Sequence, residues 1–226
     1  MNELALFAGA GGGILGGHLL GWRTVCAVEW EPYAASVLIQ RQNDGILPPF
    51  PVWDNVQTFD GRPWRGIVDV ISGGFPCQAY STAAAGKNTA DDLWPEMRRI
   101  VADVAPGYVF AENVSRIAID QAEDDCKSMG YKTKKISLSA KDMGADHIRE
   151  RFWLFAYSDN DGELLRSINA KTRWMQGLDN SIWKDYPESL RMVDGLASRL
   201  DRLKAIGNGQ VPLVAATAWR LLNDPA

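Results

Sequence analysis

Asp69-Val70-Ile71-Ser72-Gly73-Gly74-Phe75-Pro76-Cys77-Gln78 is the stretch whose reading decides the fold. Asp69 to Ser72 has the character of a short buried strand. Two glycines then let the backbone turn sharply, and Pro76 stiffens the exit at which Cys77 is presented. Open α/β sheets do their chemistry at the carboxyl ends of their strands, so a cysteine on a tight turn there is placed to react. The competing reading of an arbitrary cysteine is a small buried thiol under a loop.

The stretches on either side repeat the same grammar. Leu4-Ala5-Leu6-Phe7 reads as a strand, Ala8 to Gly13 as a glycine-rich turn, and the residues through Leu20 as an apolar helix. Glycines there permit close backbone approach, and a helix start offers free N–H groups to a nucleotide-like cofactor. Gly11, Gly13 and Gly16 also fit a dinucleotide spacing, which alone carries little weight. A second strand, Thr24 to Val28, ends in Glu29-Trp30, where an acid can accept hydrogen bonds from both hydroxyls of a ribose. Pro32 to Arg41 reads as a helix, Gly45 to Pro51 as a loop, and Asp54 in Val52-Trp53-Asp54-Asn55-Val56 as an aspartate that follows a third strand. Asp91-Asp92 caps a helix over Leu93 to Ala105, with Met97, Ile100, Val101 and Val104 on its inner face. Gly107 to Ala111 forms the fifth strand and delivers Glu112-Asn113-Val114. An amphipathic helix over Ser115 to Met129 ends with Gly130 at its C-cap. Thr133 to Ser139 is a strand, His147 to Trp153 leads into another running through Ala156, and a last helix ends near Leu222. Alternating strands and helices predict an α/β domain with a doubly wound, mostly parallel sheet.

Taken together, Gly-Gly-Phe-Pro-Cys-Gln at 73–78, Phe7-Ala8-Gly9-x-Gly11-Gly12, Glu29-Trp30, Glu112-Asn113-Val114, Arg149-x-Arg151 and Gly207-Asn208 resemble, in order, the motifs of the DNA cytosine-5 methyltransferases. The resemblance implies S-adenosylmethionine as cofactor, leaving as S-adenosylhomocysteine. It implies a Rossmann-like site formed by Phe7, Gly9, Gly11, Gly12, Glu29, Trp30, Asp54, Pro76, Leu93 and Asn208. It also implies a catalytic group of Cys77, Glu112, Arg149 and Arg151, acting on a cytosine flipped out of double-stranded DNA. The loop from Gln78 to Asp92 would close over DNA, with Ser81, Lys87 and Asn88 as contacts. Three positions depart from the family pattern: Ala5 replaces an aspartate, Gly13 an aromatic and His147 a glutamine. The expected division is a catalytic domain over 1–156 and 205–226 and a small irregular recognition lobe over 157–204, short enough to imply a relaxed target sequence or help from a protein partner.

Composition is compatible with this reading. The 226 residues are 46% hydrophobic and 23% charged, ordinary for one globular domain. No apolar run is long enough to span a bilayer and no signal peptide is visible, so the expected location is the cytoplasm. Three cysteines and two histidines argue against a disulfide framework and against a metal centre, and Cys26 and Cys126 read as core residues. A net charge of −4 does not advertise nucleic-acid binding, although local basic stripes bind phosphate whatever the total. Three rivals remain: an RNA cytosine-5 methyltransferase of the same chemistry, a catalytically silent homologue that binds DNA or a partner, and a nicotinamide oxidoreductase. The last gives the Phe-Pro-Cys-Gln turn no role.

Overall fold

Seven strands among the described residues make one sheet: β1 (Asn2–Leu6), β2 (Arg23–Val28), β3 (Val52–Trp53), β4 (Val70–Gly74), β5 (Tyr108–Asn113), β6 (Lys132–Leu138) and β7 (Arg151–Tyr157). The computed structural model describes residues 1–76, 92–144, 149–158 and 209–223. Strand order is β3-β2-β1-β4-β5-β7-β6, parallel throughout except that β7 runs against both its neighbours. Five α-helices among the described residues accompany it: α1 (Gly12–Leu19), α2 (Pro32–Asn43), α3 (Trp94–Val104), α4 (Arg116–Ser128) and α5 (Pro212–Asn223). The expected doubly wound, mostly parallel architecture is therefore present.

The two-residue period of a strand sorts side chains onto two faces. Leu4, Leu6, Ile71, Val109, Ala111, Leu154 and Ala156 pack with Met97, Ile100 and Val101 of α3 and Ala118, Ile119 and Ala122 of α4. On the other face Val70, Tyr108, Phe110, Trp153 and Phe155 meet Val214, Ala215, Ala218 and Trp219 of α5. Glu112, two residues beyond Phe110, projects to this second face. Ala5, Ala27, Ile14 of α1 and Leu38 of α2 extend it toward β2. α1 and α5 pack closely because α1 presents no side chain at Gly16, where a Cβ would lie 2.9 Å from the Pro212 carbonyl oxygen.

Several boundaries differ from expectation by one or two residues, and three of them have a clear local reason. β1 begins at Asn2 and ends at Leu6, so Phe7 lies in the turn with φ of 52°. Polar Glu3 can enter the strand because its buried carboxyl accepts from Thr24 Oγ1 at 2.7 Å and Ser72 Oγ at 2.6 Å. The third helix starts at Trp94, whose N–H donates to Asp92 Oδ1 at 3.1 Å, and stops before Ala105, which turns left-handed at φ of 49°. At the end of α4 Met129 is the C-cap, and Gly130 follows it at φ of 90°, the residue type that tolerates this conformation. Cys26 and Cys126 are buried, as expected. No helix among the described residues is long and apolar enough to cross a membrane.

Candidate active site

Parallel strands bring their carboxyl ends to one edge of the sheet. That edge collects the Phe7 turn after β1, Glu29 and Trp30 after β2, Asp54 after β3, Phe75 and Pro76 after β4, and Glu112 at the end of β5. Because β7 is antiparallel, it starts at the same edge, and Arg149 and Arg151 stand there. The sheet thus gathers every described residue expected at the site except Leu93, which a hydrogen bond attaches: its N–H donates to the Pro76 carbonyl at 3.3 Å. Cys77, Asn208, His147 and the expected loop contacts Ser81, Lys87 and Asn88 lie outside the described residues, as does the recognition region beyond Ser158.

The turn after β1 is built by backbone geometry. Phe7, Gly9 and Gly11 all have positive φ, at 52°, 54° and 85°. For Phe7 this is a conformation that costs energy and is held by its surroundings. A Cβ on Gly9 would meet nothing within 4 Å, so the turn faces open space. Glu29 braces it: Oε2 accepts from the Gly9 N–H at 2.6 Å and Oε1 from the Glu31 N–H at 2.7 Å. Arg41 donates to the Ala10 carbonyl from α2. α1 begins at Gly12 with no side chain capping its first amides. A hollow lined by Phe7, Ala8, Gly9, Gly74 and Gln210 opens beside this turn. Trp30 is 74% exposed, with Trp53 and Asp54 also exposed at the neighbouring strand end.

The acid site is drier. Glu112 is only 6% exposed. Arg151 Nε lies 2.8 Å from its Oε1, and Gln210 Nε2 donates to its Oε2 at 3.2 Å. Burial pushes the Glu112 carboxyl above the ordinary glutamate range, outweighing Arg151, Gln210 and Arg149, which pull it down. Arg149 donates to the Gly209 carbonyl at 2.7 Å, joining the start of β7 to the approach to α5. Its own pKa is lowered, first by burial and then by Arg151. Parallel pairing sets Gly74 opposite Glu112, and a Cβ there would sit 2.6 Å from Glu112 Oε2. Contrary to the expected sharp turn, Gly73 and Gly74 both lie within β4 and neither has positive φ, so the small size of Gly74 answers to the acid beside it and not to a turn.

Two residues outside the expected set shape the site. Asn113, 3% exposed, donates from Nδ2 to the Phe75 carbonyl at 2.8 Å and accepts the Ser115 N–H at 2.9 Å. It ties the end of β5 to the turn that leads to Cys77, and Phe75 is held further by Trp94, with ring centroids 5.0 Å apart. Gln210 is the second. Its only sequence signal is its place directly after Gly207-Asn208-Gly209. Cys26 and Cys126 are not nucleophile candidates, since burial pushes their thiols to about 11 and about 12.

A family model described as C-5 cytosine-specific DNA methylase matches residues 1–205. The type II methyltransferase M.NgoMIV of Neisseria gonorrhoeae is 29% identical over 206 residues, which cover 79% of this chain and 64% of that protein. M1.HphI of Haemophilus parahaemolyticus, also a type II methyltransferase, is 32% identical over 181 residues, 73% of this chain and 47% of its own length. Among solved structures, a candidate DNA modification methyltransferase encoded within an Escherichia coli prophage superposes with a TM-score of 0.56 at 25% identity, covering 71% of this chain and 47% of that one. The chain thus spans between about half and two thirds of the length of these three proteins. With a family model covering most of its length, the chain belongs to the C-5 cytosine-specific DNA methylases.

Proposed function

We propose that the protein is a DNA cytosine-5 methyltransferase that uses S-adenosylmethionine and acts on a cytosine flipped from double-stranded DNA. The observation that carries this reading is Glu112: a buried carboxyl, raised in pKa, held between Arg151 and Gln210 beside the turn that leads to Cys77.

The cofactor fits the residues present. The open turn at Gly9, the uncapped start of α1 and Glu29 at the end of β2 supply room, amides and a carboxylate. A carboxylate has roughly four acceptor positions, so bracing the turn is compatible with holding a ribose. Phe7, Gly9, Gly11, Gly12, Glu29, Trp30, Asp54, Pro76, Leu93 and Asn208 are assigned to binding. Bound there, S-adenosylmethionine would supply an electrophilic methyl group for carbon 5.

Carbon 5 of cytosine is too electron-poor to accept that methyl group unaided. In the proposed mechanism the Cys77 thiolate adds to carbon 6, and the displaced electron pair makes carbon 5 nucleophilic. Glu112, whose carboxyl burial pushes toward the protonated form, is assigned to hydrogen-bond ring nitrogen 3 and stabilise the charge that builds there. Arg151 holds Glu112 in place and is assigned to the carbonyl at position 2, with Arg149 fixing the backbone at Gly209. After methylation a base removes the carbon-5 proton, the electron pair re-forms the ring double bond and Cys77 leaves as thiolate. Residues 157–204 are assigned to target recognition, and their small number favours a short or relaxed site or a protein partner. Transfer of labelled methyl groups to duplex DNA and to tRNA in parallel, followed by nucleoside digestion, tests the reading. Label is expected in 5-methylcytosine from DNA and lost in Cys77→Ala; label in tRNA alone would replace DNA with RNA as substrate.

A further inference from the structure

Gly13 stands where the family commonly has an aromatic side chain, and the structure shows what fills the space. A Cβ at Gly13 would lie 2.4 Å from Oε1 of Gln210, and one at Gly12 would lie 2.0 Å from the Gln210 backbone oxygen. The Gln210 side chain therefore lies across the start of α1, and its Nε2 reaches Glu112 Oε2 at 3.2 Å and sits 3.1 Å from where a Cβ on Gly74 would be. It touches three parts of the site together: the cofactor turn, the glycines before Cys77 and the acid. Taking the methyltransferase reading as given, we propose that Gln210 is a positioning residue for Glu112, and that the missing side chain at Gly13 exists to admit it.

The chemistry favours an amide in this position. Glu112 already has a cation, Arg151 at 2.8 Å, on Oε1. A second cation on Oε2 would hold the carboxyl ionised and unable to donate to a ring nitrogen. A neutral donor fixes the plane of the carboxyl while leaving it able to keep its proton. Among the described residues, the charged groups facing Glu112 are Arg151 and Arg149 on the β7 side; β4 presents Gly74 and the start of α1 presents Gly12 and Gly13. Gln210 is thus the described neutral group that orients the acid from the opposite side.

Three variants test this: Gln210→Met, which keeps the bulk and removes the amide; Gly13→Ala, whose new methyl displaces the flexible end of Gln210; and Glu112→Gln, which assigns the signal. The Glu112 ionisation midpoint is read by carboxyl carbon NMR in the cofactor-free protein, independently of turnover. Because the amide favours the ionised form, its loss is expected to move the midpoint upward in both Gln210→Met and Gly13→Ala. In turnover, Gln210→Met is expected to lower kcat about tenfold, the effect of one lost hydrogen bond, with S-adenosylmethionine affinity changed less than threefold. An unmoved midpoint in folded Gln210→Met overturns the proposal. So does a loss confined to cofactor affinity, which would make Gln210 a strut for the turn. A wild-type protein that shows the midpoint shift between variants yet methylates no nucleic acid would refute the assigned reaction while leaving the Gln210–Glu112 coupling intact.

Discussion

Glu3 should make this protein lose stability as pH rises, and replacing it with glutamine should abolish the loss. The side chain is fully buried on β1 and straps that strand to both neighbours, taking hydroxyl hydrogen bonds from Thr24 on β2 and Ser72 on β4. Burial raises its pKa from 4.5 to about 7 despite those two bonds. Below pH 4.5 the group is protonated whether the chain is folded or not, so it adds no pH dependence. Between 4.5 and about 7 the unfolded chain has released the proton and the folded protein still holds it. Folding then takes up a proton, and stability falls with rising pH. Each pH unit of separation is worth 1.36 kcal/mol, so the full loss by pH 8 is about 3 kcal/mol. The amide of Glu3→Gln does not titrate. Its oxygen can accept one hydroxyl and its NH2 can donate to the other, so the three-strand clamp survives. Urea unfolding of both proteins from pH 4 to 8 isolates Glu3, because every other titrating group is common to the pair. Glu3→Gln should equal wild type within about 1 kcal/mol near pH 4.5, and exceed it by roughly 3 kcal/mol at pH 8. A difference that stays constant across that range would refute the assignment of a buried, protonated Glu3.

Other expectations follow from single contacts. Asn113→Ala leaves the Phe75 carbonyl without its partner and should cost about 1–3 kcal/mol in urea unfolding while lowering kcat more than KM. Glu29→Ala unbraces the Gly9 and Glu31 amides, and calorimetry should show S-adenosylmethionine binding weakened at least tenfold with the fold retained. Gly73→Ala places a methyl 2.7 Å from the Leu6 carbonyl in the neighbouring strand, where backbone cannot yield cheaply; a loss above about 2 kcal/mol is expected from thermal unfolding. Glu112→Gln keeps the shape and removes the acid, so methyl transfer should fall by two orders of magnitude or more while cofactor binding persists.

Much of the fold was legible because its signals are local. Apolar runs marked β1, β2 and β4, with glycines at or after the ends of β1 and β4 and Glu29-Trp30 after β2, and Ser115 and Gly130 bracketed α4. The sheet edge that gathers Glu29, Asp54, Pro76 and Glu112 followed from parallel pairing. The rest depended on contacts between distant residues. Nothing near Gln210 in the sequence points to Glu112, 98 residues away, and Gly13 read as a departure when it is half of a fitted pair. Nothing local marks Glu3 as a strand residue, because the partners of its carboxyl, Thr24 and Ser72, lie on other strands. Asn113 was read only as the middle of a motif, whereas its amide holds the carbonyl of Phe75 across from the neighbouring strand. Arg151 could be placed near the acid from the motif, but that β7 runs antiparallel, and so starts at the active edge, came from the pairing itself.

The central claim is that Cys77 attacks carbon 6 of a cytosine in DNA. Duplex DNA carrying 5-fluorocytosine in mixed sequence contexts, incubated with protein and S-adenosylmethionine, tests it most directly, because fluorine at carbon 5 blocks the final elimination. The account predicts a denaturation-resistant protein–DNA adduct, mapped by mass spectrometry to Cys77, carrying one methyl group and absent in Cys77→Ala. Cofactor binding without any adduct, or an adduct that persists in Cys77→Ala, would contradict it.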